Sequence, residues 1–272
     1  MNRAAATAKI NLALVVGPRR EDGLHEVASV LQRIDLADRL EVEPAPALRV
    51  SGFAADTLVA RALELLARTA GVDGRWHAHL EKRIPVAAGL GGGSSDAATA
   101  LRLANQTLVA PLPPERLHEL AAELGVDVPF FLGSGPQLAT GDGRQLEPLA
   151  LPQDFWIVLV LPHGEDKEST SAVYAAFDER GGDGGFDERR AQLLAALERV
   201  RRPSDLAAFP DNDLATSPLA DELRGAGAFR ADVSGAGPAV YGLFVHERDA
   251  RAAAAALMSR GRAWVTAPAW YG

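Results

Sequence analysis

Residues 85–96 read Pro85-Val86-Ala87-Ala88-Gly89-Leu90-Gly91-Gly92-Gly93-Ser94-Ser95-Asp96, and they carry the clearest chemistry in the chain. An alternating run from Trp76 to Ile84 leads into them, and an Ala/Leu-rich run follows. The pattern is a strand feeding a glycine-rich turn that opens into a helix. Glycines let a backbone approach a ligand closely and adopt positive φ. The free N–H groups and dipole of a first helical turn then attract phosphate. Ser94 and Ser95 add hydroxyl donors that can also reach a magnesium ion, and Ser95 is the candidate metal ligand. The turn is not a Walker A loop, because no Gly-Lys-Ser/Thr follows, and Ser94 stands where the dinucleotide fingerprint has its last glycine. A plain flexible linker would not run straight into so well-capped a helix.

Other residues suit the transfer of a phosphoryl group, which needs positioning, charge neutralisation and a group to accept a hydroxyl proton. Asp127 lies in an apolar setting two residues before Pro129 and can act as a base or orient a hydroxyl. A loop-capping aspartate is the plainer alternative. The chain has only three lysines, Lys9, Lys82 and Lys167, while its other basic residues are arginines. A bias in codon composition explains that in general, but a retained lysine suits a place where a compact ammonium is needed. His25 has no metal-like partners, and His77 and His79 share a strand face without a third ligand, so they read as a solvated edge.

The elements that must hold these residues follow from periodicity. Ile10, Leu12, Leu14 and Val16 alternate with Lys9, Asn11, Ala13 and Val15, so 8–16 is a strand with Lys9 and Asn11 on one face. Segment 26–44 is strand-like. Asp56 caps a helix to about Thr69, closed by Gly71. The glycine turn opens a helix from Ser94 to Leu108, with Ser94 or Ser95 as N-cap and Asp96 in the first turn. A helix over Pro114–Leu124 ends at Gly125. The chain changes character around Pro148–Asp154, which predicts two domains, 1–152 and 153–272. The second reads as strand 155–161, a helix near 169–177, a Gly/Asp loop at 181–185 and a helix over 187–201. A helix near 217–225, strands 229–234 and 239–245, a helix over 247–260 and a strand near 263–267 complete it. No short-period repeat is visible.

The chain has 272 residues, 47% hydrophobic and 24% charged, the range of a globular protein with a sizeable core. A net charge of −8 argues against broad affinity for nucleic acid or anionic membranes, so any bound phosphate needs a local positive pocket. The absence of cysteine excludes disulfides and thiolate chemistry. Lys9 and Asn11 interrupt any signal-peptide core, and no run approaches a membrane span, which predicts a cytoplasmic protein.

Pro-x-x-x-Gly-Leu-Gly-(Gly)-Gly-Ser-Ser resembles the ATP-binding signature of GHMP kinases. The version here, with three consecutive glycines and then Ser-Ser-Asp-Ala-Ala, is similar to the branch that acts on a cytidine diphosphate-linked methylerythritol. Ala8-Lys9-Ile10-Asn11-Leu12 with Arg20-Glu21-Asp22-Gly23-Leu24-His25-Glu26 is similar to that branch's N-terminal motif. Gly125-Val126-Asp127-Val128-Pro129-Phe130-Phe131 resembles its catalytic-aspartate segment. Ser234-Gly235-Ala236-Gly237-Pro238 resembles the superfamily's C-terminal glycine-rich motif. Together these segments span nearly the whole chain in order.

The resemblance implies an α+β protein of GHMP-kinase fold, its two domains flanking an active-site cleft and its C-terminal domain ferredoxin-like. It implies ATP with Mg2+ as cofactors, the glycine turn and Lys82 at the nucleotide, and Lys9 with Asp127 as the catalytic pair. Lys9 would hold the carboxylate in position and stabilise charge developing in the transfer. It places Asn11, His25, Thr170 and Tyr174 at the substrate, with His25 and Tyr174 on the cytosine ring. The partner is then a small molecule, not nucleic acid or membrane, and the chain a monomer or weak homodimer. Asn212-Asp213-Leu214 also resembles a segment near the cleft, with a helix cap as an equal explanation.

Four positions depart from the family pattern. Leu24 stands where a tyrosine usually completes the cytosine sandwich. Thr57 replaces an asparagine often at the adenine, and Arg144 replaces a glutamate. Pro238 removes an N–H that could have faced phosphate. The alternatives are a homoserine- or mevalonate-type GHMP kinase, which the motifs at Asp22–His25 and Asp127–Phe131 disfavour, and a non-catalytic binding protein of the same fold, which retention of Lys9 and Asp127 disfavours.

Overall fold

The computed structural model describes residues 2–53, 57–164 and 169–269. Two long antiparallel strands, β1 (Asn2–Arg19) and β2 (His25–Pro44), start the fold. β2 is central: β1 lies along one edge, and the other edge is shared between two strands. Its first half pairs with β5 (Gln137–Gly141), which continues into β6 (Gln145–Pro148). Its second half pairs with β4 (Trp76–Glu81), which runs parallel to the short β3 (Arg49–Ser51). The register of β1 shifts between Thr7 and Ala8 and again between Asn11 and Ala13. Such bulges re-aim side chains, and here they flank Lys9 and Asn11.

Three helices cover this sheet: α1 (Thr57–Ala70), α2 (Gly92–Asn105) and α3 (Pro114–Leu124). Their apolar stripes meet Leu40, Val42 and Leu80 in one core, with Leu63 and Leu66 from α1, Leu101 from α2 and Leu120 from α3. Each such leucine contributes roughly 1.5–3 kcal/mol by leaving water. Alanines 97, 98, 100 and 104 of α2 are all fully buried and small enough to let the helix sit close to its neighbours. α2 is therefore a rigid support for the turn that precedes it.

The second sheet has the order β10-β7-β9-β8 and is antiparallel throughout. Its strands are β7 (Trp156–Pro162), β8 (Arg230–Val233), β9 (Val240–Phe244) and β10 (Gly261–Thr266). Helices α6 (Pro218–Gly225) and α7 (Glu247–Ala256) bury Leu223 and Ala250 against one face. The other face joins the first sheet: Ile157, Leu159, Tyr241 and Leu243 pack with Ala13, Val15, Ala28 and Val30. Helix α5 (Phe186–Leu197) adds Phe186 and Leu193 to that joint core. Helix α4 (Thr170–Glu179) lies on the ends of β1 and β2 through Val173 and Phe177. The two sheets are thus welded by apolar packing, and the cleft between them has fixed walls. Among the described residues no helix is long and apolar enough to cross a membrane.

The long elements lie where periodicity puts them, with different ends. The first strand runs from 2 to 19 instead of 8 to 16. The helix expected over 94–108 begins at Gly92, so neither Ser94 nor Ser95 is its N-cap. Gly91 holds that position in the left-handed conformation, without a side-chain cap. Asp96 accordingly falls beyond the first turn and is fully buried. The helix expected over 187–201 stops at Leu197, and that over 247–260 at Ala256. The proposed cap Asp56 lies outside the described residues, whereas Gly71 does follow α1 with φ 64°.

Candidate active site

The glycine turn connects β4 to α2. Three backbone torsions of positive φ shape it, at Ala87 (62°), Gly89 (79°) and Gly91 (68°). At Gly89 a side chain is impossible for a second reason: its Cβ would lie 2.1 Å from the Ser234 carbonyl oxygen. The two sheets meet here. Ser234 Oγ donates to the Gly89 carbonyl at 3.0 Å, and the Ala239 amide donates to the Ala88 carbonyl at 3.2 Å. The first intrahelical bond of α2 runs from Ser95 N to the Gly91 carbonyl, 2.9 Å. The amides of Gly92, Gly93 and Ser94 precede it and are left for a ligand.

Lys82, at the end of β4, braces this turn. Its ammonium donates to Asp96 of α2 at 2.7 Å and also to Asp38 of β2, both carboxylates being fully buried. Asp38 in addition accepts the Ile84 amide at 2.9 Å. Burial works against the lysine's charge, but Asp96 and then Asp38 outweigh it, and the pKa stands above the ordinary lysine value. Strand, helix and sheet are thus tied together directly behind the glycines.

Lys9 on β1 is buried, and its own amide bonds to the Leu90 carbonyl of the turn, 2.9 Å. Its ammonium donates to Asn11 Oδ1 at 2.7 Å, and Nζ stands 3.8 Å from Asp127 Oδ2. The shared face read for Lys9 and Asn11 is present. Asn11, however, is not at the surface of the cleft. Its Nδ2 donates to Ser29 Oγ at 2.8 Å, and Ser29 donates on to the Ala13 carbonyl, 2.8 Å. Both ends of the amide are engaged, so Asn11 holds the ammonium from behind instead of facing a ligand. Asp127 sits in the turn between α3 and the 3-10 turn Pro129–Leu132 and keeps an open carboxylate.

Two cavities flank Asp127. The first, about 390 Å³, is lined by every residue from Pro85 to Ser94, with Lys9, Lys82, Phe53 and Leu58, and by Gly235–Gly237 opposite. The second, about 620 Å³, is lined by Leu24, His25, Ser171, Ala175, Asp142 and Asp178. They share Ser94, Asp127, Thr170 and Tyr174. A donor in one cavity and an acceptor in the other would therefore meet at the Asp127 carboxylate.

In the second cavity His25 is oriented by Asp178, Nε2 to Oδ1 2.7 Å, and its ring lies 4.7 Å from that of Tyr174, tilted by 32°. Burial foremost, and then the nearby charge of Asp127, push the Tyr174 hydroxyl up to about 12. Ser169 caps α4 by accepting the Ala172 amide at 3.1 Å, which fixes Thr170 and Tyr174 on the helix. Leu24 lines the same cavity. Arg144 lies outside it and pairs with Asp142, which does line it. Pro238 lies outside both linings, while Gly235–Gly237 are at the first cavity.

Ser95 is not in the cleft. It points to the far side of α2 and is fully buried there, because the helix starts two residues earlier than expected. Among the described residues no group of three or more His, Asp or Glu could hold a metal by itself. A magnesium ion needs only one or two carboxylates when phosphates supply the rest. Asp127 and the Ser94 hydroxyl are the groups in both cavities that fit such an ion. Asn212 and Asp213 are structural. Asn212 donates to the Val233 and Gly235 carbonyls at 3.0 and 2.7 Å, and Asp213 binds the Val16 amide and Arg189 at 2.8 and 3.1 Å. Asp178, Ser29 and Asp38 escaped the sequence reading, and no local pattern marks them. The apolar pair Phe53 and Leu58 at the first cavity follows only from the fold.

Comparison with known proteins agrees with this geometry. The profile of the "GHMP kinases N terminal domain" matches residues 57–135, and that of "GHMP kinases C terminal" matches 205–263. The chain is 40% identical to a 4-diphosphocytidyl-2-C-methyl-D-erythritol kinase of Pelotomaculum thermopropionicum, over 93% of this chain and 92% of that one. It is 38% identical to the enzyme of the same name from Geobacter sulfurreducens, over 96% of each. A crystal structure of 4-(cytidine 5'-diphospho)-2C-methyl-D-erythritol kinase superposes with a TM-score of 0.80, at 36% identity and covering 100% of both chains. A mevalonate kinase structure gives 0.74 at 12% identity, a likeness of fold.

Proposed function

The chain belongs to the 4-diphosphocytidyl-2-C-methyl-D-erythritol kinases, a family of the GHMP fold, and from that premise we propose how its two cavities divide the reaction. The protein is an ATP-dependent kinase that phosphorylates the 2-hydroxyl of 4-CDP-2-C-methyl-D-erythritol in non-mevalonate isoprenoid synthesis. ATP occupies the glycine-rich cavity and the cytidyl substrate the cavity of His25. The observation that supports this division is the sharing of Asp127 by both.

The adenine end of ATP packs against Phe53, Leu58 and Val86, apolar residues at the first cavity. Its phosphates lie over the turn, where the amides of Gly92, Gly93 and Ser94 and the dipole of α2 offset their charge. Cytosine meets His25 and Tyr174, with Asp178 fixing the imidazole so that one ring nitrogen is committed and the other is free for the base. The substrate then presents its 2-hydroxyl to Asp127. The carboxylate accepts that proton as the oxygen attacks the γ-phosphorus and the bond to the ADP oxygen breaks. Lys9, held by Asn11, stays beside the carboxylate and stabilises the charge that develops on the transferring group. Asp127 and the Ser94 hydroxyl would hold a magnesium ion brought in with ATP, and such an ion would supply charge neutralisation to the phosphates. A cytoplasmic location and work as a monomer or weak homodimer accord with this reading, as does the division into domains 1–152 and 153–272.

The test is ADP release measured with the cytidyl substrate, with homoserine and with mevalonate. The expected result is turnover with the cytidyl substrate alone. Preference for homoserine or mevalonate would refute the assignment of the second cavity, and no ATP turnover with any of them would refute catalysis.

A further inference from the structure

A smaller cavity of about 170 Å³ lies on the far side of α2 from the cleft, lined by Ala4, Ala5 and Thr7 of β1, Arg33 of β2, Ser95, Thr99 and Arg102 of α2, and Phe131. Arg33 is 4% exposed, yet its guanidinium bonds to a backbone carbonyl and aromatic rings and not to a described carboxylate. One Nη donates to the Phe130 carbonyl at 2.9 Å, and the guanidinium lies over the rings of Phe130 and Phe131, 5.3 and 5.6 Å from their centroids. Its Nε is buried without any hydrogen-bond partner. A buried guanidinium N–H without a hydrogen bond is costly, the more so because the group is charged. Arg102, on the same wall, is likewise not ion-paired with a described carboxylate, and the two cations repel each other.

Burial foremost, and Arg102 next, lower the Arg33 pKa to about 10. At neutral pH Arg33 therefore still carries its charge. In a chain with a net charge of −8, a buried arginine with no described carboxylate beside it, next to a second, half-buried one, makes this cavity a seat for an anion. The hydroxyls of Thr7, Ser95 and Thr99 ring the same space, and no carboxylate lines it. Charged and hydroxyl donors around a small space match a compact tetrahedral oxyanion, which accepts on every side, and not a cation or an extended ligand. Phe131 closes the cavity toward the cleft: its ring is the nearest neighbour to a Cβ built on Gly91, at 2.9 Å.

We propose that the cavity between β1, β2 and α2 is a second anion site, separate from the cleft, in which Arg33 and Arg102 bind a small oxyanion of the phosphate class. The ligand supplies the counter-charge that no described carboxylate provides there. It also ties α2, which carries the glycine turn, to both long strands.

The probe is inorganic phosphate, titrated at constant ionic strength against chloride and acetate into protein labelled at the arginine Nε position. The expected result is a saturable shift of the Arg33 Nε–H resonance and a rise in melting temperature with phosphate beyond that with the other salts. Arg102→Gln, at a half-buried position that tolerates the change, should weaken the apparent phosphate affinity by about tenfold or more, the scale of one charge-assisted bond. Arg33→Met should abolish the effect. Gly93→Val, which blocks phosphate access to the glycine turn, should leave it in place. An Arg33 signal indifferent to millimolar phosphate, or an unchanged affinity in Arg102→Gln, would overturn the site. A response lost in Gly93→Val would assign the phosphate to the cleft and overturn it equally.

Discussion

Lys9 Nζ stands 3.8 Å from Asp127 Oδ2, with the lysine buried and the carboxylate open to both cavities. The asymmetry suits phosphoryl transfer. Asn11 and Ser29 immobilise the cation from behind, so it costs no reorganisation when charge develops. The carboxylate stays accessible to a hydroxyl from one side and to phosphate from the other.

Neighbouring glycines of the turn should respond differently to the same change. A Cβ on Gly93 would meet nothing within 4 Å, whereas one on Gly92 would lie 3.1 Å from Ile84 and 3.2 Å from Lys82 Nζ. Gly93→Val should fold normally and raise KM for ATP far more than KM for the cytidyl substrate. Gly92→Val should instead disturb the Lys82 brace and lower the melting temperature. Steady-state kinetics with thermal denaturation on both variants will read this, and the reverse assignment would show that the turn is oriented otherwise.

Lys82 neutralises two fully buried carboxylates, Asp38 and Asp96. Lys82→Met leaves both without their cation and should cost about 3–5 kcal/mol of stability, the scale for breaking a buried pair by removing one partner. The pKa of Lys82 is raised in the folded state, so its stabilisation is complete below the unfolded lysine value and lost as pH climbs through the folded one. The stability gap between wild type and variant should be constant from neutral pH to roughly 10.4 and shrink above that. Urea denaturation across that range checks it. A gap that widens with alkaline pH would contradict the assignment.

Tyr174 already rests on His25 at 4.7 Å, so a base in the second cavity finds one aromatic wall and the aliphatic Leu24. Leu24→Tyr should tighten binding of the cytidyl substrate by roughly two- to twelvefold, the worth of one stacking contact, with ATP affinity unchanged. Tyr174→Ala should weaken it by more, because buried area goes with the stacking. Calorimetric titration reads both. Wild-type affinity in Tyr174→Ala would make that residue a packing element of α4.

The cleft's parts were legible in the sequence in unequal measure. The turn at 85–94 could be read because strand, glycines and helix each leave a local signature, and all ten residues do line one cavity. Serine is the usual cap, so the sequence points to Ser94 or Ser95 as the N-cap. A left-handed Gly91 starts the helix instead, and this shift turns Ser95 away from the cleft. Alternation alone puts Asn11 on one face with Lys9, but the hydroxyl that takes its other end, Ser29, lies on the next strand. β3, β5 and β6 leave no such signature because each is short and mixed in character, and it is pairing, of β3 to β4, β5 to β2 and β6 to β5, that makes them strands. Asp38 and Asp178 act through partners 44 and 153 residues away, a distance at which no local pattern operates.

The central claim is that transfer occurs at the carboxylate shared by the two cavities, and Asp127→Asn tests it with the smallest change of shape. Its turnover should be read by ADP release at saturating ATP and cytidyl substrate, with calorimetry to confirm that both still bind. The account predicts intact binding and a turnover number lower by about a hundredfold or more, the scale of a lost general base. A folded Asp127→Asn enzyme that turns over at the wild-type rate would contradict it.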